Sequence, residues 1–326
     1  MNIIKKIGVL LFSIVLLGSC NQKKDTKILR LAHTLDTAHP VHRALEILNE
    51  NLTEKSKGKL TLQLYPSGQL GGERECLELL QIGSLDITKV SAAVLENFIN
   101  EYKIFSIPYL FDDREHAFKV FDGDIGSAML TKGEKFRLRG LTFYDAGSRS
   151  FYTKEKPIET PKDLEGLKIR VQKSNMAVAM VNDLGGAPTP ISYGELYTAL
   201  QQGVVDGAEN NLPSFYTSKH YEICKYFSLD QHTSVPDVLL IGLDTWDKLN
   251  TEEQKWLLEA AKESTLQQRI LWAKSEKIAL DKIKKAGVRI ITPNKKPFQQ
   301  KTSAVVESFK NQPEVLSIIH QIKALE

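Results

Sequence analysis

Gly166-Leu-Lys-Ile-Arg170-Val171 is the stretch of sequence around which the chain is organised. Its apolar residues alternate with Lys168 and Arg170, and this period of two predicts a strand with one apolar face, which begins after a turn at Gly166. A strand holds Arg170 in one place, and a guanidinium presents a planar fork of donors that matches both oxygens of a carboxylate. The segment therefore predicts a site for a small organic acid. The alternative is an edge strand whose Arg170 meets solvent or a structural Asp.

Strands and helices alternate before this segment. The hydrophobic pattern predicts strands at residues 28–32, 59–65 and, after a turn at Gly83, up to Ser91, with helices at about 41–56 and up to about 82. This order is typical of a doubly wound α/β lobe, in which ligands gather beyond the carboxyl ends of the strands. The loops at those ends contain the candidate ligand contacts His33, Glu73 and Ser91.

A second run of the same pattern follows a strand at residues 141–145. It predicts strands at 151–153 and 168–171, a helix at 174–184, an extended segment at 187–191 and a helix at 193–202. The next strand ends in the amides Asn210 and Asn211. If this strand is a neighbour of the 168–171 strand, both amides lie beside Arg170 where ligand groups collect.

The rest of the chain connects two lobes. An apolar strand at about 238–243 is expected to return to the first lobe, and residues 251–286 predict one long helix with Trp256, Leu257, Leu266 and Ile270 on its apolar stripe. We expect this helix to brace both lobes, followed by a strand at 288–291 and a helical region at 297–325. Lobe I is predicted at residues 27–147 with about 237–262. Lobe II is predicted at 148–236 with about 263–326, which include the bracing and terminal helices.

Residues 1–19 have the pattern of a secretory signal. Lys5 and Lys6 precede an apolar run at 7–17 that is too short to span a bilayer, and Leu-Gly-Ser-Cys20 completes a lipobox. Cys20 resembles the cysteine that lipoproteins carry as a diacylglyceryl anchor, with residues 20–26 as the tether. The alternative is a cleaved signal with an incidental cysteine. We expect an exported lipoprotein on the periplasmic face of a membrane, and the sequence leaves open which membrane.

The composition indicates an ordinary globular protein. The 326 residues are 42% hydrophobic and 25% charged, and the formal charge of +3 falls to +1 without Lys5 and Lys6, so no basic surface for nucleic acid is indicated. The seven histidines lack metal-binding spacing, and we predict neither a metal nor a cofactor. Cys76 and Cys224 are predicted to be buried thiols, although the sequence does not decide whether they pair.

Four motifs together carry a family resemblance. They are Ser67–Gly72 (Ser-Gly-Gln-Leu-Gly-Gly), Gly166–Val171, Gly185–Pro190 (Gly-Gly-Ala-Pro-Thr-Pro) and Gly203–Gly207 (Gly-Val-Val-Asp-Gly), the last followed by Glu209 and Asn210. In this order and spacing the chain resembles the DctP-type solute receptors of TRAP transporters, which are ATP-independent systems of the bacterial cell envelope. The resemblance implies an α/β, two-lobed periplasmic-binding-protein fold with a hinge and a ligand in the interlobe cleft. It also implies a sodium-driven permease of large and small membrane subunits as the partner.

The resemblance implies roles for particular residues. Arg170 matches the arginine that makes a two-point salt bridge to the ligand carboxylate, and Arg149 matches a second arginine near that carboxylate. Asn210 matches an asparagine that supports the carboxylate, and its neighbour Asn211 is included in the predicted site.

The resemblance also suggests a class of ligand. Segments 33–40, 71–75 and 88–92 resemble members of the family that bind sugar acids, including hexuronates such as glucuronate or galacturonate. A uronate needs one carboxylate clamp and several hydroxyl acceptors. Glu73, Asp237 and His33 can supply acceptors, and the acids would repel a dicarboxylate. For Glu73 the alternative is a favourable charge at a helix N-terminus.

The sequence therefore predicts a receptor that binds a monocarboxylate sugar acid and delivers it to a permease, and not an enzyme. A lipid-anchored sensor of the same ligand is one alternative, because the sequence does not separate sensing from transport. An enzyme that uses Glu73 and His33 as acid and base is the other. Against it, the sequence contains no Gly-x-Ser-x-Gly elbow and no phosphate-binding loop.

Overall fold

Strands and helices alternate along residues 26–325, the part of the chain that the computed structural model describes. The strands are β1 (Lys27–Ala32), β2 (Leu60–Tyr65), β3 (Ile87–Ser91), β4 (Leu138–Tyr144), β5 (Arg149–Thr153), β6 (Lys168–Val171), β7 (Ala187–Pro190), β8 (Gly207–Asn210), β9 (Tyr226–Thr233), β10 (Asp237–Gly242) and β11 (Arg289–Ile291). The α-helices are α1 (Pro40–Lys55), α2 (Glu73–Gln81), α3 (Ala92–Leu95), α4 (Arg114–Asp122), α5 (Asp124–Thr131), α6 (Asn175–Asp183), α7 (Leu196–Gln201), α8 (Leu212–Thr217), α9 (Leu243–Lys248), α10 (Thr251–Lys285), α11 (Lys296–Glu307) and α12 (Pro313–Lys323). Short 3-10 helices occupy Asn100–Ser106, Glu134–Phe136, Pro161–Leu164, Tyr193–Glu195 and His220–Glu222. The predicted signal segment and Cys20 lie outside the described residues.

The first sheet has the strand order β2-β1-β3-β10-β4. Strand β1 pairs in parallel with β2 and β3, and the helices α1 and α2 make the crossovers. The late strand β10 lies between β3 and β4 and is antiparallel to both. The predicted return of the chain to the first sheet is therefore confirmed.

The second sheet has the order β11-β9-β5-β8-β6-β7. Strand β6 carries Arg170 and lies between β8 and β7, parallel to both, so it is an internal strand. Gly166 has the positive φ of 78° that the turn before β6 requires. The alternative of an edge strand is thus excluded. Strand β6 and strand β8, which ends at Asn210, are neighbours, so the condition for the two asparagines to lie near Arg170 is met.

Two short segments connect the sheets within the described chain. Residues 145–148 lead from β4 to β5, and residues 234–236 lead back from β9 to β10. We call the first sheet with α1–α5 and α9 the first half, and the second sheet with α6–α8 the second half. The two crossing segments connect neighbouring strands in each sheet, because β4 pairs with β10 and β5 pairs with β9. They are therefore the natural place for a hinge between the halves.

The 35-residue helix α10 packs against both halves. Asn250 caps its first turn, and its side chain accepts hydrogen bonds from the backbone N–H groups of Glu252 and Glu253. Near its start Leu257 lies in the core of the first sheet, and near its end Ile283 lies in the core of the second sheet. The expectation of a helix that braces both lobes agrees with this packing.

The predicted apolar stripe of α10 is wrong at two positions. Leu257 is fully buried, but Leu266 is 54% exposed and Ile270 is 63% exposed. The buried face instead carries Trp272 and mainly small or polar residues, which are Ala260, Ala261, Ser264, Thr265 and Gln268. Small side chains let α10 approach α1 and β4 closely, and polar ones bond to them, as the Ser264 hydroxyl does to that of Tyr144 at 2.7 Å. Hydrophobicity alone does not reveal such a face.

The last helix, α12, extends the core of the first sheet, whereas α11 places Phe298 in a core of the second sheet. Val315, Ile319 and Ile322 of α12 are buried in the cluster that contains Leu138 and Phe143 of β4. Cys76 and Cys224 are both buried and free, which confirms the prediction of buried thiols. Among residues 26–325, no helix has the length and apolar character needed to cross a bilayer.

We predict opposite effects for two leucines on α10. Leu257→Ala should lower the free energy of unfolding by about 2–5 kcal/mol because it leaves a cavity in the first core. Leu266→Ala, on the exposed face of the same helix, should change it by about 0.5 kcal/mol or less. Urea unfolding at constant m-value would measure both. A larger loss for Leu266→Ala than for Leu257→Ala would contradict the assignment of the buried face.

Candidate ligand-binding site

A polar pocket lies between the two halves, at the carboxyl ends of strands β3, β6 and β8. Seven of the predicted contacts line it: Arg170, Arg149, Asn210, Asn211, Glu73, Ser91 and Asp237. The eighth, His33, does not line it. The structure therefore brings together residues of both halves, such as Glu73 and Arg170. It also brings together residues more than 160 positions apart in the sequence, such as Glu73 and Asp237.

Arg170 is a buried cation, and most of its guanidinium N–H donors have no partner among the described residues. Only 2% of the residue is exposed, its Nε donates a hydrogen bond to the carbonyl of Ile191 at 2.9 Å, and its buried Nη1 has no partner among the described residues. No carboxylate of residues 26–325 forms an ion pair with it. Burial and the nearby cation Arg149 lower the pKa of Arg170 from its usual value. A buried charge without a partner is costly, so this end of the pocket favours an anion.

Arg149, by contrast, is already paired. Its Nη2 donates to Glu209 Oε1 at 2.8 Å and to the Glu209 carbonyl at 2.8 Å, and its Nε pairs with Glu209 Oε2. Its Nη1 donates to Asn210 Oδ1 at 2.9 Å. Most of its five N–H groups are therefore committed inside the protein. Arg149 has less to offer a ligand than Arg170 has.

Arg149 belongs to a buried network of charged residues. His232 lies between Asp230 and Glu209, with Nδ1 at 2.6 Å from Asp230 Oδ2 and Nε2 at 3.5 Å from Glu209 Oε2. Burial alone would raise the pKa of Glu209, but Arg149 and His232 outweigh it and lower that pKa to about 2. Burial alone would lower the pKa of His232, but Asp230 and Glu209 raise it to about 9. At neutral pH these four residues therefore form two adjoining ion pairs.

A second cation, Lys89, organises the wall that belongs to the first half. Its Nζ donates to Glu73 Oε1 and to Asp237 Oδ1, each at 3.1 Å. Glu73 Oε1 also accepts from the backbone N–H of Ser91 at 3.2 Å. Burial would lower the pKa of Lys89, but Asp237 and Glu73 raise it. Glu73 is the first residue of α2, so it serves as a helix N-terminal charge and as an ion-pair partner.

The carboxylates of this wall keep acceptor capacity. Each uses only Oε1 or Oδ1 in its bonds to Lys89 and Ser91, and the second oxygen of each has no protein partner in the described part of the chain. Burial raises the pKa of Asp237, against the opposing effect of Lys89. Two acceptor oxygens next to a fixed ammonium are suited to hold hydroxyl groups.

His33 has a structural role that the sequence did not reveal. Its Nε2 lies 3.0 Å from Nδ1 of His42 on α1, and its Nδ1 accepts from the backbone N–H of Leu35 at 3.2 Å. Burial lowers its pKa to about 3, so the ring is neutral. The loop after β1 turns toward the pocket only beyond this residue, and the prediction of His33 as a pocket residue is not supported by its position.

His39 is the histidine of this loop that lines the pocket. Its Nδ1 accepts from the backbone N–H of Val41 at 3.3 Å, which caps α1, and its Nε2 lies 3.2 Å from the Ser214 hydroxyl of the second half. Burial lowers its pKa well below the usual value. The position of His39 just before a helix that begins with Pro40 was the available signal for this cap.

The two asparagines differ in what they leave free. Asn211 caps α8, and its Oδ1 accepts from the backbone N–H of Ser214 at 2.8 Å. Asn210 uses only its Oδ1, which accepts from Arg149 and from the backbone N–H of Asn211. Its amide N–H donors stay available at the pocket. Trp272 also lines the pocket, but its Nε1 is buried against Gly147 and has no partner among the described residues.

Sequence reasoning missed Lys89, Glu209, His232, His39 and Trp272. A lysine within the fully buried strand β3 was a signal for Lys89, because a buried ammonium requires partners. The partners themselves come from distant segments. Among the described residues, no group of three or more His, Cys, Asp or Glu side chains is arranged to hold a metal ion.

Two α/β halves joined by short crossing segments, a bracing helix and a polar pocket between the sheets define the two-lobed periplasmic-binding-protein fold. Residues 31–312 match the family model of the bacterial extracellular solute-binding proteins of family 7, DctP, and the chain belongs to that family. It is thus a solute-binding protein of the TRAP type.

Three similar proteins place the chain within this family. A TRAP periplasmic solute-binding protein from Xanthobacter autotrophicus Py2, solved with bound β-D-galacturonate, is 37% identical with a TM-score of 0.89 over 91% of this chain and 100% of that chain. Another, from Anaerococcus prevotii with bound D-glucuronate, is 36% identical with a TM-score of 0.90 over 92% of this chain and 98% of that chain. The 2,3-diketo-L-gulonate-binding periplasmic protein YiaO of Escherichia coli K12 is 30% identical over 264 residues, or 81% of this chain and 80% of the relative.

We predict that His232 makes stability depend on pH on the alkaline side. Because its pKa is raised to about 9 in the folded chain, its contribution is complete below about pH 6.5 and is lost as the pH rises through about 9. His232→Gln should lack this loss and should be less stable at pH 7 by about 3–5 kcal/mol.

Urea unfolding at pH 6, 7.5 and 9 would measure the effect. The matched control is His320→Gln, which changes an exposed histidine on α12 and should reproduce the wild-type curve. If the free energies of wild type and His232→Gln run parallel from pH 6 to 9, the buried charge network is wrong.

Proposed function

We propose that this protein is the receptor of a TRAP transporter for a monocarboxylate sugar acid of the hexuronate type, such as D-glucuronate or D-galacturonate. The observation that carries the proposal is the buried guanidinium of Arg170, which lines the pocket with an unpaired Nη1 and no carboxylate partner in the described chain. A ligand carboxylate would give it the two-point ion pair that its fork favours.

The opposite wall argues for one carboxylate and several hydroxyls. Lys89 already holds both Glu73 and Asp237, so a second ligand carboxylate would meet two acids there. Hydroxyl groups can donate to the free oxygens of those acids, and they can accept from the amide of Asn210. The wall therefore disfavours a dicarboxylate, because the second carboxylate of such a ligand would lie next to two acids without a counter-charge of its own.

The relatives support the same class of ligand. The Xanthobacter and Anaerococcus proteins were solved with galacturonate and glucuronate, and the Escherichia coli relative is named for 2,3-diketo-L-gulonate. All three ligands are six-carbon sugar acids with one carboxylate. The energetics are ordinary: micromolar binding needs about 8 kcal/mol, or about 0.6 kcal/mol for each of roughly thirteen heavy atoms, which is below the ceiling near 1.5.

Delivery to a permease completes the proposed role. The halves would close on the ligand by rotation about the crossing segments 145–148 and 234–236, and the closed receptor would dock on a membrane permease of large and small subunits. The family is one of solute-binding proteins, and the pocket acids Glu73 and Asp237 are held in ion pairs with Lys89. We therefore infer that the chain binds its ligand without transforming it.

Calorimetry with four solutes tests the ligand. D-glucuronate and D-galacturonate should bind. D-glucose should not bind because it lacks the carboxylate, and succinate should not bind because it brings a second one. Arg170→Ala should weaken hexuronate binding about thirtyfold or more, because removing one member of a buried charge pair costs roughly 2–5 kcal/mol. Lys168→Ala is the matched control, since Lys168 lies two residues earlier on the same strand and is exposed.

Each part of this experiment has a result that would contradict the proposal. Binding of succinate but neither hexuronate would refute the class of ligand and keep the clamp. An unchanged dissociation constant for Arg170→Ala would refute the clamp. A loss for Lys168→Ala as large as that for Arg170→Ala would show damage to the strand rather than loss of an ion pair.

We also propose that Cys20 carries a lipid anchor that holds the receptor at the periplasmic face of a membrane. The lipobox pattern supports it, and the family is described as extracellular. Cys20→Ser should move the protein from the membrane fraction to the soluble fraction of the envelope, whereas Asn21→Ala should stay with the membrane. Cell fractionation would measure this, and a Cys20→Ser protein that remains with the membrane would refute the anchor.

A further inference from the structure

Glu96 and Asn97 of the first half form hydrogen bonds to the backbone at the beginning of α6 in the second half. Glu96 follows α3, is 8% exposed, and its Oε1 accepts a hydrogen bond from the backbone N–H of Met176 at 3.1 Å. The side-chain amide of Asn97 donates to the carbonyl of Lys173 at 2.7 Å. Both bonds connect a side chain of one half to the backbone of the other.

The helix α6 has a cap of its own, so Glu96 is an additional partner. Ser174 is the N-cap residue, and its hydroxyl accepts from the backbone N–H of Ala177 at 3.0 Å. Glu96 takes a different first-turn N–H group, that of Met176. A carboxylate at this place is favoured by the unpaired N–H groups and by the dipole of the helix.

An apolar contact accompanies these bonds. The side chain of Met176 is buried and belongs to the core cluster of the first sheet, together with Ala93 and Val94 of α3. The same helix places Met180 and Val181 in a core of the second sheet. The first turn of α6 is thus inserted into the opposite half, while the rest of the helix stays with its own.

The position of this contact links it to the carboxylate clamp. Helix α6 begins five residues after Arg170, and the intervening Gln172 and Lys173 line the pocket, as does Val94 on the other side. Glu96 and Asn97 themselves do not line the pocket. They act on the strand that holds the ligand carboxylate and not on the ligand.

We propose that Glu96, with Asn97, is a positioning residue for solute binding that fastens the Arg170 segment to the first half when the receptor is closed. This inference rests on the proposed function and adds the residue that holds the closed state. The bonds to Met176 and Lys173 require both halves in contact, so they stabilise the closed, ligand-bound receptor and are absent from any state in which the halves separate. Their loss therefore speeds release of the ligand more than it slows capture.

Rapid-mixing kinetics with D-glucuronate tests this. Glu96→Ala should raise the dissociation rate about tenfold and change the association rate by about twofold or less, within the range of a lost helix-terminal partner. Glu96→Gln keeps an acceptor oxygen for the Met176 N–H and should raise it only about threefold. Asn97→Ala, which removes the other bond, should raise it about threefold as an independent variant.

Glu101→Gln is the matched control. Glu101 is 9% exposed, lies in the same half, and pairs at 4.0 Å with Lys132 of that half, so its change should leave both rates as in wild type. X-ray scattering gives a readout that a local structural defect would not move: with saturating D-glucuronate, Glu96→Ala should stay less compact than wild type and Glu101→Gln.

Equal dissociation rates and equal compaction for wild type and Glu96→Ala would overturn the proposal. If Glu96→Ala does not fold, an unchanged dissociation rate in both Asn97→Ala and Glu96→Gln overturns it instead. If the wild type binds neither hexuronate, the proposed ligand fails separately. X-ray scattering of wild type and Glu96→Ala saturated with the solute that does bind in the calorimetry then decides: less compaction of Glu96→Ala supports the contact, and equal compaction overturns it.

Discussion

A buried guanidinium without an internal counter-charge is the constraint on which the site depends. Arg170 lies on the internal strand β6, fixed through its Nε to the carbonyl of Ile191, and the fold leaves its remaining donors to the pocket. A protein interior tolerates such a charge only if the rest of the structure holds it in place, since the residue would otherwise turn toward water. Under the proposed function, the carboxylate of a bound solute would offset the cost of that burial.

Of the buried cations that line the pocket in the described chain, Arg170 is the one without an ion pair. Arg149 would add a second positive charge, but Glu209 neutralises it, and His232 and Asp230 hold Glu209 in turn. Lys89 would add a third, but Glu73 and Asp237 neutralise it. The pocket therefore presents a cation at one end and carboxylate oxygens at the other. This asymmetry favours a molecule with one carboxylate and several hydroxyls, the chemistry of the sugar acids that the solved relatives hold.

The contact between the halves is the second constraint on the site. Strand β6, which carries Arg170, leads into α6, whose first turn is inserted into the opposite half beside Glu96. The proposed carboxylate clamp and the proposed closure contact thus lie within a few residues of one another. The bracing helix α10 reaches both cores, which allows the halves to move without losing their shared support.

The sequence by itself determined most of the local elements, and it indicated Arg170 as the residue on which the proposed carboxylate clamp depends. Alternation fixed β6 and the direction of Arg170, the order of strands and helices fixed two α/β lobes, and motif spacing indicated the family. What it did not determine are contacts between distant segments. His33 was expected in the pocket and instead bonds to His42, while Leu266 and Ile270 were expected on the buried face of α10 and are exposed.

Only the tertiary structure decided which charges are compensated. The pairing of Arg149 with Glu209, and of Lys89 with Glu73 and Asp237, joins residues up to 148 positions apart, and no local pattern encodes such distances. The reason is physical: periodicity reports which side of an element faces the core, whereas the partner of a buried charge depends on how separate elements pack together. Arg170 could be chosen from its strand together with the family motifs, but that it stands unpaired is a property of the whole fold.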